Sequence, residues 1–126
     1  MKKGFTLVEL LAVITLLAVI GLIAVPVVNR TINSSKEKAY NAQVEEIKNA
    51  ARSWASEHLN EVLEDDVSCP TNTSIVNITT VTVDALKNGG YIPKKAKSPK
   101  NDTNLSGYVS ITYDCEYNSY EYEYQE

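Results

Sequence analysis

The sequence predicts an α+β protein in which a long N-terminal α-helix packs on a small C-terminal antiparallel β-sheet. Residues 10–29 carry no charge and consist mainly of Leu, Ile, Val and Ala, and they are followed by helical spacing of apolar residues to about Leu63. Near the C-terminus, apolar and aromatic residues alternate with polar ones, which is typical of strands with one buried face. The chain therefore divides into an apolar N-terminal segment and a polar head.

Length and charge limit the classes of function. The chain has 126 residues and a formal net charge of −4. The part beyond the apolar segment suffices for one small domain with a modest core. An acidic balance disfavours a general nucleic-acid binder. The sequence contains no recognisable catalytic constellation, phosphate-binding loop or metal-ligand spacing, so we predict neither an enzyme nor a cofactor.

The apolar segment has a length that suits a membrane. At about 1.5 Å per residue, a helix of 20 residues covers the ~30 Å hydrocarbon core of a bilayer. One interpretation is a secretory signal peptide cut after Gly21 or Ala24, although Glu9 at the start of the apolar run disfavours it. A second is a single-pass anchor whose Lys2 and Lys3 stay in the cytoplasm.

A third interpretation uses the residues before the apolar run. Residues 3–11 read Lys-Gly-Phe-Thr-Leu-Val-Glu-Leu-Leu, and this stretch closely resembles the class III leader of type IV pilins and pseudopilins. The resemblance covers roughly the first 30 residues. It implies cleavage between Gly4 and Phe5 by a prepilin peptidase and N-methylation of Phe5. It also implies a leader at 1–4, a hydrophobic transmembrane and polymerisation helix at 5–29, and a soluble head at 30–126.

Glu9 has two interpretations. A carboxylate at the centre of a membrane helix costs on the order of 2.5–3.5 kcal/mol, so its presence suggests a function. The structural alternative is a capping box in which Thr6 caps the helix and Glu9 returns to the Thr6 amide. The family resemblance implies that Glu9 neutralises the Phe5 amine of a neighbouring subunit during filament assembly, and the two interpretations are compatible.

Pro26 is expected to break or kink the apolar helix. A proline inside a helix deletes the hydrogen bond to the carbonyl of residue 22 and costs ~3 kcal/mol unless other partners are found. Membrane helices tolerate such breaks. The family resemblance implies that residues 21–26 form an extensible part of the helix in the filament.

The second half of the helix is expected to be amphipathic and to pack on the head. Its end is predicted at Glu64-Asp65-Asp66, because carboxylates oppose the helix dipole there. His58 is expected to be a half-buried packing residue rather than a ligand or base. The predicted packing stripe contains Tyr40, Val44, Ile47, Ala51, Trp54, His58 and Val62.

The rest of the head is predicted element by element. Residues 75–81 are β-prone but irregular, and residues 82–90 indicate a short capped helix ended by glycine. Residues 94–100 form a basic loop. Residues 108–115 and 120–124 are expected to pair as an antiparallel hairpin whose apolar face covers the helix stripe. The strand order stays open.

Cys69 and Cys115 are more consistent with one disulfide than with a metal site. Two thiols cannot complete a tetrahedral shell, and an export-type leader indicates an oxidising compartment. Closing a loop of this span is worth ~4 kcal/mol in the chain-entropy model. The alternative is two free thiols.

The resemblance implies a structural subunit of a type IV pilus, which polymerises with itself and other pilins. The expected partners are membrane lipid before assembly, a prepilin peptidase, a platform protein and an assembly ATPase. The expected location is the cell membrane, with a cytoplasmic N-terminus, and then an extracellular filament. The alternatives are a pseudopilin of a type II secretion or DNA-uptake system, and a membrane-anchored binding domain that never polymerises. The basic loop is expected to be solvated, with DNA, an anionic polymer or an acidic patch of the next subunit as weaker alternatives.

Overall fold

The computed structural model of the chain describes residues 3–62 and 67–126, with the backbone alone at 59–62. Helix α1 spans Leu7–Val62, strand β1 Ile75–Thr82, helix α2 Val83–Asn88, strand β2 Tyr108–Asp114 and strand β3 Ser119–Gln125. The long helix and the antiparallel sheet confirm the predicted α+β class.

Helix α1 continues through Pro26. The predicted loosening of residues 21–26 concerns the assembled filament, so it stays a prediction. The predicted helix end at 64–66 lies outside the described residues. Internal contacts divide the chain into a unit Met1–Lys38 and a unit Ala39–Glu126. These contacts do not test the functional boundary predicted at residue 29, which also stays a prediction.

The sheet is a simple antiparallel one with strand order β1-β2-β3. Strands β2 and β3 form the predicted hairpin, in which Val109 pairs with Tyr124 and Tyr113 pairs with Tyr120. The register of β1 against β2 shifts between Asn77 and Thr79. This bulge explains why the alternation in the first strand looked irregular in the sequence.

The core lies between the C-terminal half of α1 and one face of this sheet. Within Ala39–Glu126, the α1 side chains of Ile47, Ala51 and Ala55 are almost fully buried, as are Val109 and Ile111 of β2. The predicted packing stripe is therefore confirmed at its centre, and the side chain of Val62 lies outside the described part. The tyrosines of β3 also pack against this core: Tyr120, Tyr122 and Tyr124.

The structure confirms the predictions for the short helix and for the single histidine, His58. The Thr82 hydroxyl accepts a hydrogen bond from the Ala85 amide at 3.2 Å, and Gly89 caps the C-terminus of α2. The His58 ring is half-buried and stacks on Trp54 with ring centroids 4.7 Å apart. Its Nδ1 donates to the Trp54 carbonyl at 2.9 Å. His58 is therefore a packing residue, as predicted.

Candidate assembly site

The backbone around Gly4 and Phe5 precedes the helix and is open. Residues 3–6 are not helical, and the Phe5 side chain is 90% exposed. A Cβ atom at Gly4 would meet nothing within 4 Å. The predicted cleavage position, the Gly4–Phe5 bond, therefore lies in a non-helical, accessible segment.

Thr6 and Glu9 form the predicted capping box at the start of α1. Glu9 Oε2 accepts hydrogen bonds from the Thr6 amide at 2.9 Å and the Thr6 hydroxyl at 3.0 Å, and the Glu9 amide donates to the Thr6 hydroxyl at 3.3 Å. Both bonds to the carboxylate end on Oε2, and Oε1 accepts none from residues 3–62 or 67–126. Thr6 and Glu9 both follow the predicted cleavage position, so the predicted cleavage would remove neither residue of this box.

Glu9 stands alone in an apolar surface. The next charged residue along the chain is Arg30. The large apolar side chains from Phe5 to Val28 are each more than half exposed within the chain. A contiguous apolar surface of this size marks contact with a membrane or with other protein copies. In the described part of the chain, α1 is the one helix long and apolar enough to cross a membrane.

The described head residues form no group of three or more His, Cys, Asp and Glu that could hold a metal ion. Cys69 and Cys115 instead form a disulfide, with Cα atoms 6.0 Å apart. The Cys115 amide donates to the Ser74 carbonyl at 2.8 Å. The bridge therefore ties the segment after the long helix to the turn end of the hairpin.

Two contacts that sequence reasoning missed hold the basic loop against α1. Gln43 Nε2 donates to the Lys97 carbonyl at 2.8 Å, and the Lys100 ammonium lies 3.7 Å from the centroid of the Tyr40 ring. The Tyr40 hydroxyl donates to Glu126 at 3.3 Å. These contacts join residues more than 50 positions apart, so no local pattern signals them.

Burial sets the acid–base behaviour of two tyrosines in the core. Burial raises the pKa of Tyr122, and the positive charge of Arg52 over its ring opposes the rise. Burial also raises the pKa of Tyr124, and the Glu126 carboxylate adds to the effect. The Tyr124 hydroxyl donates to the Ser106 carbonyl at 2.6 Å. Burial against the core therefore favours the neutral form of both rings.

The chain was compared with models of protein families. Residues 1–25 match the family model described as "Prokaryotic N-terminal methylation motif". No curated protein and no solved structure matches this chain. The matched segment contains the leader, Glu9 and most of the apolar run, and the helix on a small antiparallel sheet has the layout of type IV pilins. The match supports a type IV pilin or pseudopilin for this chain by its N-terminal segment, residues 1–25.

Proposed function

We propose that this protein is the structural subunit of a type IV pilus, cleaved between Gly4 and Phe5, methylated at the Phe5 amine, and polymerised through the apolar half of α1. The observation that carries the proposal is the combination of one carboxylate, Glu9, with an exposed apolar surface of membrane length directly after the leader motif. Such a surface is stable only in lipid or against other apolar helices.

Cleavage creates the charge that Glu9 needs. Hydrolysis of the Gly4–Phe5 bond leaves a cationic amine on Phe5, and N-methylation preserves its basic nitrogen. Pairing of an isolated charge in apolar surroundings lowers its desolvation cost. The unoccupied Oε1 of Glu9 is available to the Phe5 amine of a neighbouring copy while Oε2 keeps its bonds to Thr6. This ion pair would set the axial register between apolar helices that otherwise have no polar feature to align them.

The same chemistry serves a pseudopilin of a secretion or DNA-uptake system. Both kinds of subunit share the leader, the lone carboxylate and the apolar helix. We favour the pilus subunit, in the membrane with a cytoplasmic N-terminus before assembly and extracellular after it. The prepilin peptidase, the platform protein and the assembly ATPase are the partners that this proposal requires. Abundant filaments sheared from the cell surface would support the pilus, whereas loss of secretion or transformation without such filaments would support the pseudopilin.

The test of polymerisation is a Glu9→Ala variant produced in cells that assemble the wild-type chain. We expect leader cleavage to proceed but sheared filaments to be lost, because the Phe5 amine would enter the apolar filament core without a counter-charge. Glu45→Ala is the matched control, since Glu45 is an exposed carboxylate on the same helix, and its filaments should form normally. Wild-type filament yield from Glu9→Ala would contradict the proposal and favour a membrane-anchored domain that does not polymerise.

A further inference from the structure

Charge in the head is segregated along the chain. Residues 87–100 contain five lysines and no carboxylate, and residues 101–126 contain six carboxylates and neither lysine nor arginine. A hairpin and a connecting loop occupy different places in the fold, so much of this separation in sequence becomes a separation in space. Asp102 and Glu126 are exceptions, since Asp102 pairs with Lys97 and Glu126 bonds Tyr40, whose ring Lys100 contacts. The separation creates two surfaces of opposite sign.

The positive surface is the lysine loop, Lys94–Lys100. It leads into the start of β2, and Gln43 and Tyr40 of α1 hold it through the Lys97 carbonyl and the Lys100 ammonium. Tyr40 also bonds Glu126, the residue after β3. The lysine loop therefore lies at the end of the hairpin where β2 begins and β3 ends.

The negative surface is the carboxylate patch, Glu116 and Glu121. Glu116 lies in the β2–β3 turn, which Asp114 fixes by accepting hydrogen bonds from the Glu116 and Tyr117 amides at 2.8 and 3.2 Å. Glu121 pairs in register with Thr112 near that turn, and both carboxylates are exposed. Since Tyr120 and Tyr122 pack against the core, the alternation of β3 places Glu121 on the outer face of the sheet.

The two surfaces are too far apart to neutralise each other within one copy. At ~3.4 Å per residue, the strand that separates them covers roughly 20 Å, whereas the screening length at physiological ionic strength is ~8 Å. The ion pairs among residues 3–62 and 67–126 are Lys48–Glu45 and Lys97–Asp102. Within these residues, Lys94 and Lys95 face no carboxylate at ion-pair distance, and the carboxylate patch faces no cation.

A filament needs two such surfaces. Copies that repeat head to tail meet through a heterologous interface, in which two different patches of the same chain are complementary. Loss of Lys2 and Lys3 with the leader changes the formal charge, without counting termini, from −4 to −6, since −4 − 2 = −6. Heads of equal net sign repel, so contacts of opposite sign have to align them. The same net charge disfavours DNA as the occupant of the lysine loop.

We propose that, in the assembled filament, Lys94 and Lys95 of one copy form ion pairs with Glu116 and Glu121 of an adjacent copy. The proposal rests on the filament function proposed above and adds a contact between heads to the contact between apolar helices. These pairs orient each head around the filament axis, which the apolar helices alone do not specify.

Charge reversal in the full chain tests the proposal in cells that assemble the wild type. Lys94→Glu with Lys95→Glu places like charges in contact, and such juxtaposition costs several kcal/mol, so sheared filament yield should fall by about tenfold or more. Glu116→Lys with Glu121→Lys should cause a similar loss. All four changes together exchange the two signs and should restore the yield.

The matched control combines Lys94→Glu and Lys95→Glu with Glu37→Lys and Glu46→Lys. It has the same number of substitutions and the same net charge, but its new lysines lie at exposed carboxylate positions of α1. It should not restore filaments. Restoration by this control, or failure of the four-residue exchange to restore them, would overturn the proposal.

A carbodiimide cross-link gives a second, direct readout on wild-type filaments. The reagent activates a carboxylate, a lysine amine displaces the activated group, and an amide forms as the carbodiimide takes up water to become a urea. Peptides joining Lys94 or Lys95 to Glu116 or Glu121 should appear in filaments and be absent from detergent-dispersed subunits, and filaments without them would overturn the proposal.

The outcomes separate this inference from the filament function. Absence of wild-type filaments would overturn both. Wild-type filaments together with normal yield from the lysine-reversed variant would overturn the head contact alone. If that variant also lost binding to DNA, nucleic acid rather than a second copy would be the partner of the lysine loop.

Discussion

Glu9 has an observed role in starting the helix, and this role is compatible with its proposed role in assembly. Its Oε2 closes the capping box with Thr6, which satisfies an amide that has no partner within the first helical turn. A capping carboxylate is also stabilised by the positive end of the helix dipole. The residue that starts the helix thus lies one turn from the position of the amine that the proposed cleavage would create.

Within the head, Gly107 is a position at which a side chain would not fit. Its φ is +107°, and a Cβ atom there would collide with the backbone carbonyl of Gln125. Gly90 also has a positive φ, +82°, but has nothing within 4 Å of the same position. We predict that Gly90→Ala lowers the free energy of unfolding by about 1–2 kcal/mol, the cost of left-handed backbone, and that Gly107→Ala lowers it further.

Urea unfolding of the full-length variants in detergent, followed by the fluorescence of Trp54, measures both changes. Both glycines have a positive φ, but only at Gly107 does a backbone carbonyl lie close to the Cβ position, so the difference between the two variants reports mainly on the collision. Equal stability of the two variants would show that the close approach of Gly107 to the end of β3 contributes nothing.

At the scale of elements, patterns within one strand or helix predicted that element, whereas the pairing of strands distant in sequence could not be predicted. The alternation in residues 108–124 predicts the hairpin because period two is a local property of a strand, and Thr82 and Gly89 predict α2 by their capping chemistry. The pairing of β1 with β2 crosses 25 residues of helix and loop, and the bulge at Asn77 obscures its period. Strand order therefore required the structure.

The candidate site follows the same division. Gly4, Phe5 and Glu9 lie within six residues, so the resemblance of one short segment to the class III leader was enough to predict them. The place of the lysine loop depends on Tyr40 and Gln43, which lie more than 50 residues away. A run of lysines in a sequence does not reveal which end of a sheet it will occupy.

The contribution of the disulfide to the stability of the head can be tested directly. Cys69 and Cys115 are separated by 46 residues, and a bridge across a loop of that size is worth ~4 kcal/mol in the chain-entropy model. We predict that reduction lowers the free energy of unfolding by about this amount. A Cys69→Ser, Cys115→Ser variant should have the same free energy of unfolding as the reduced wild type, and added reductant should not change it.

Urea unfolding with and without reductant supplies the measurement. An unchanged midpoint after verified reduction would mean that packing between α1 and the hairpin is sufficient without the bridge. A difference between reduced wild type and the serine variant would instead reveal an effect of the thiols themselves.

For the molecule as a whole, the half-buried tyrosines of β3 predict how stability depends on pH. The folded state raises the pKa of Tyr122 and Tyr124 above the ordinary value of about 10, chiefly by burial. Above that pH the unfolded chain releases protons that the folded chain retains, so stability is fully present below pH 10 and declines as pH rises further.

Thermal unfolding across pH 8–12 (about the range in which tyrosine ionises) measures this decline. Tyr122→Phe and Tyr124→Phe should weaken the pH dependence, and Tyr117→Phe, whose ring is 74% exposed, should leave it as in the wild type. A midpoint that stays constant to the top of this range would contradict the buried, neutral state of the β3 tyrosines.

The chain combines an apolar surface, whose exposure to water is unfavourable, with a head that has a packed core and a disulfide. The central claim of the proposed function is that cleavage after Gly4 converts this apolar surface into an assembly surface. The most direct measurement is the intact mass and N-terminal fragmentation of the protein isolated from its cell. We predict a chain that begins at Phe5 and carries one added methyl group on its amine. A mature chain that begins at Met1 or after Gly21 would contradict the central claim.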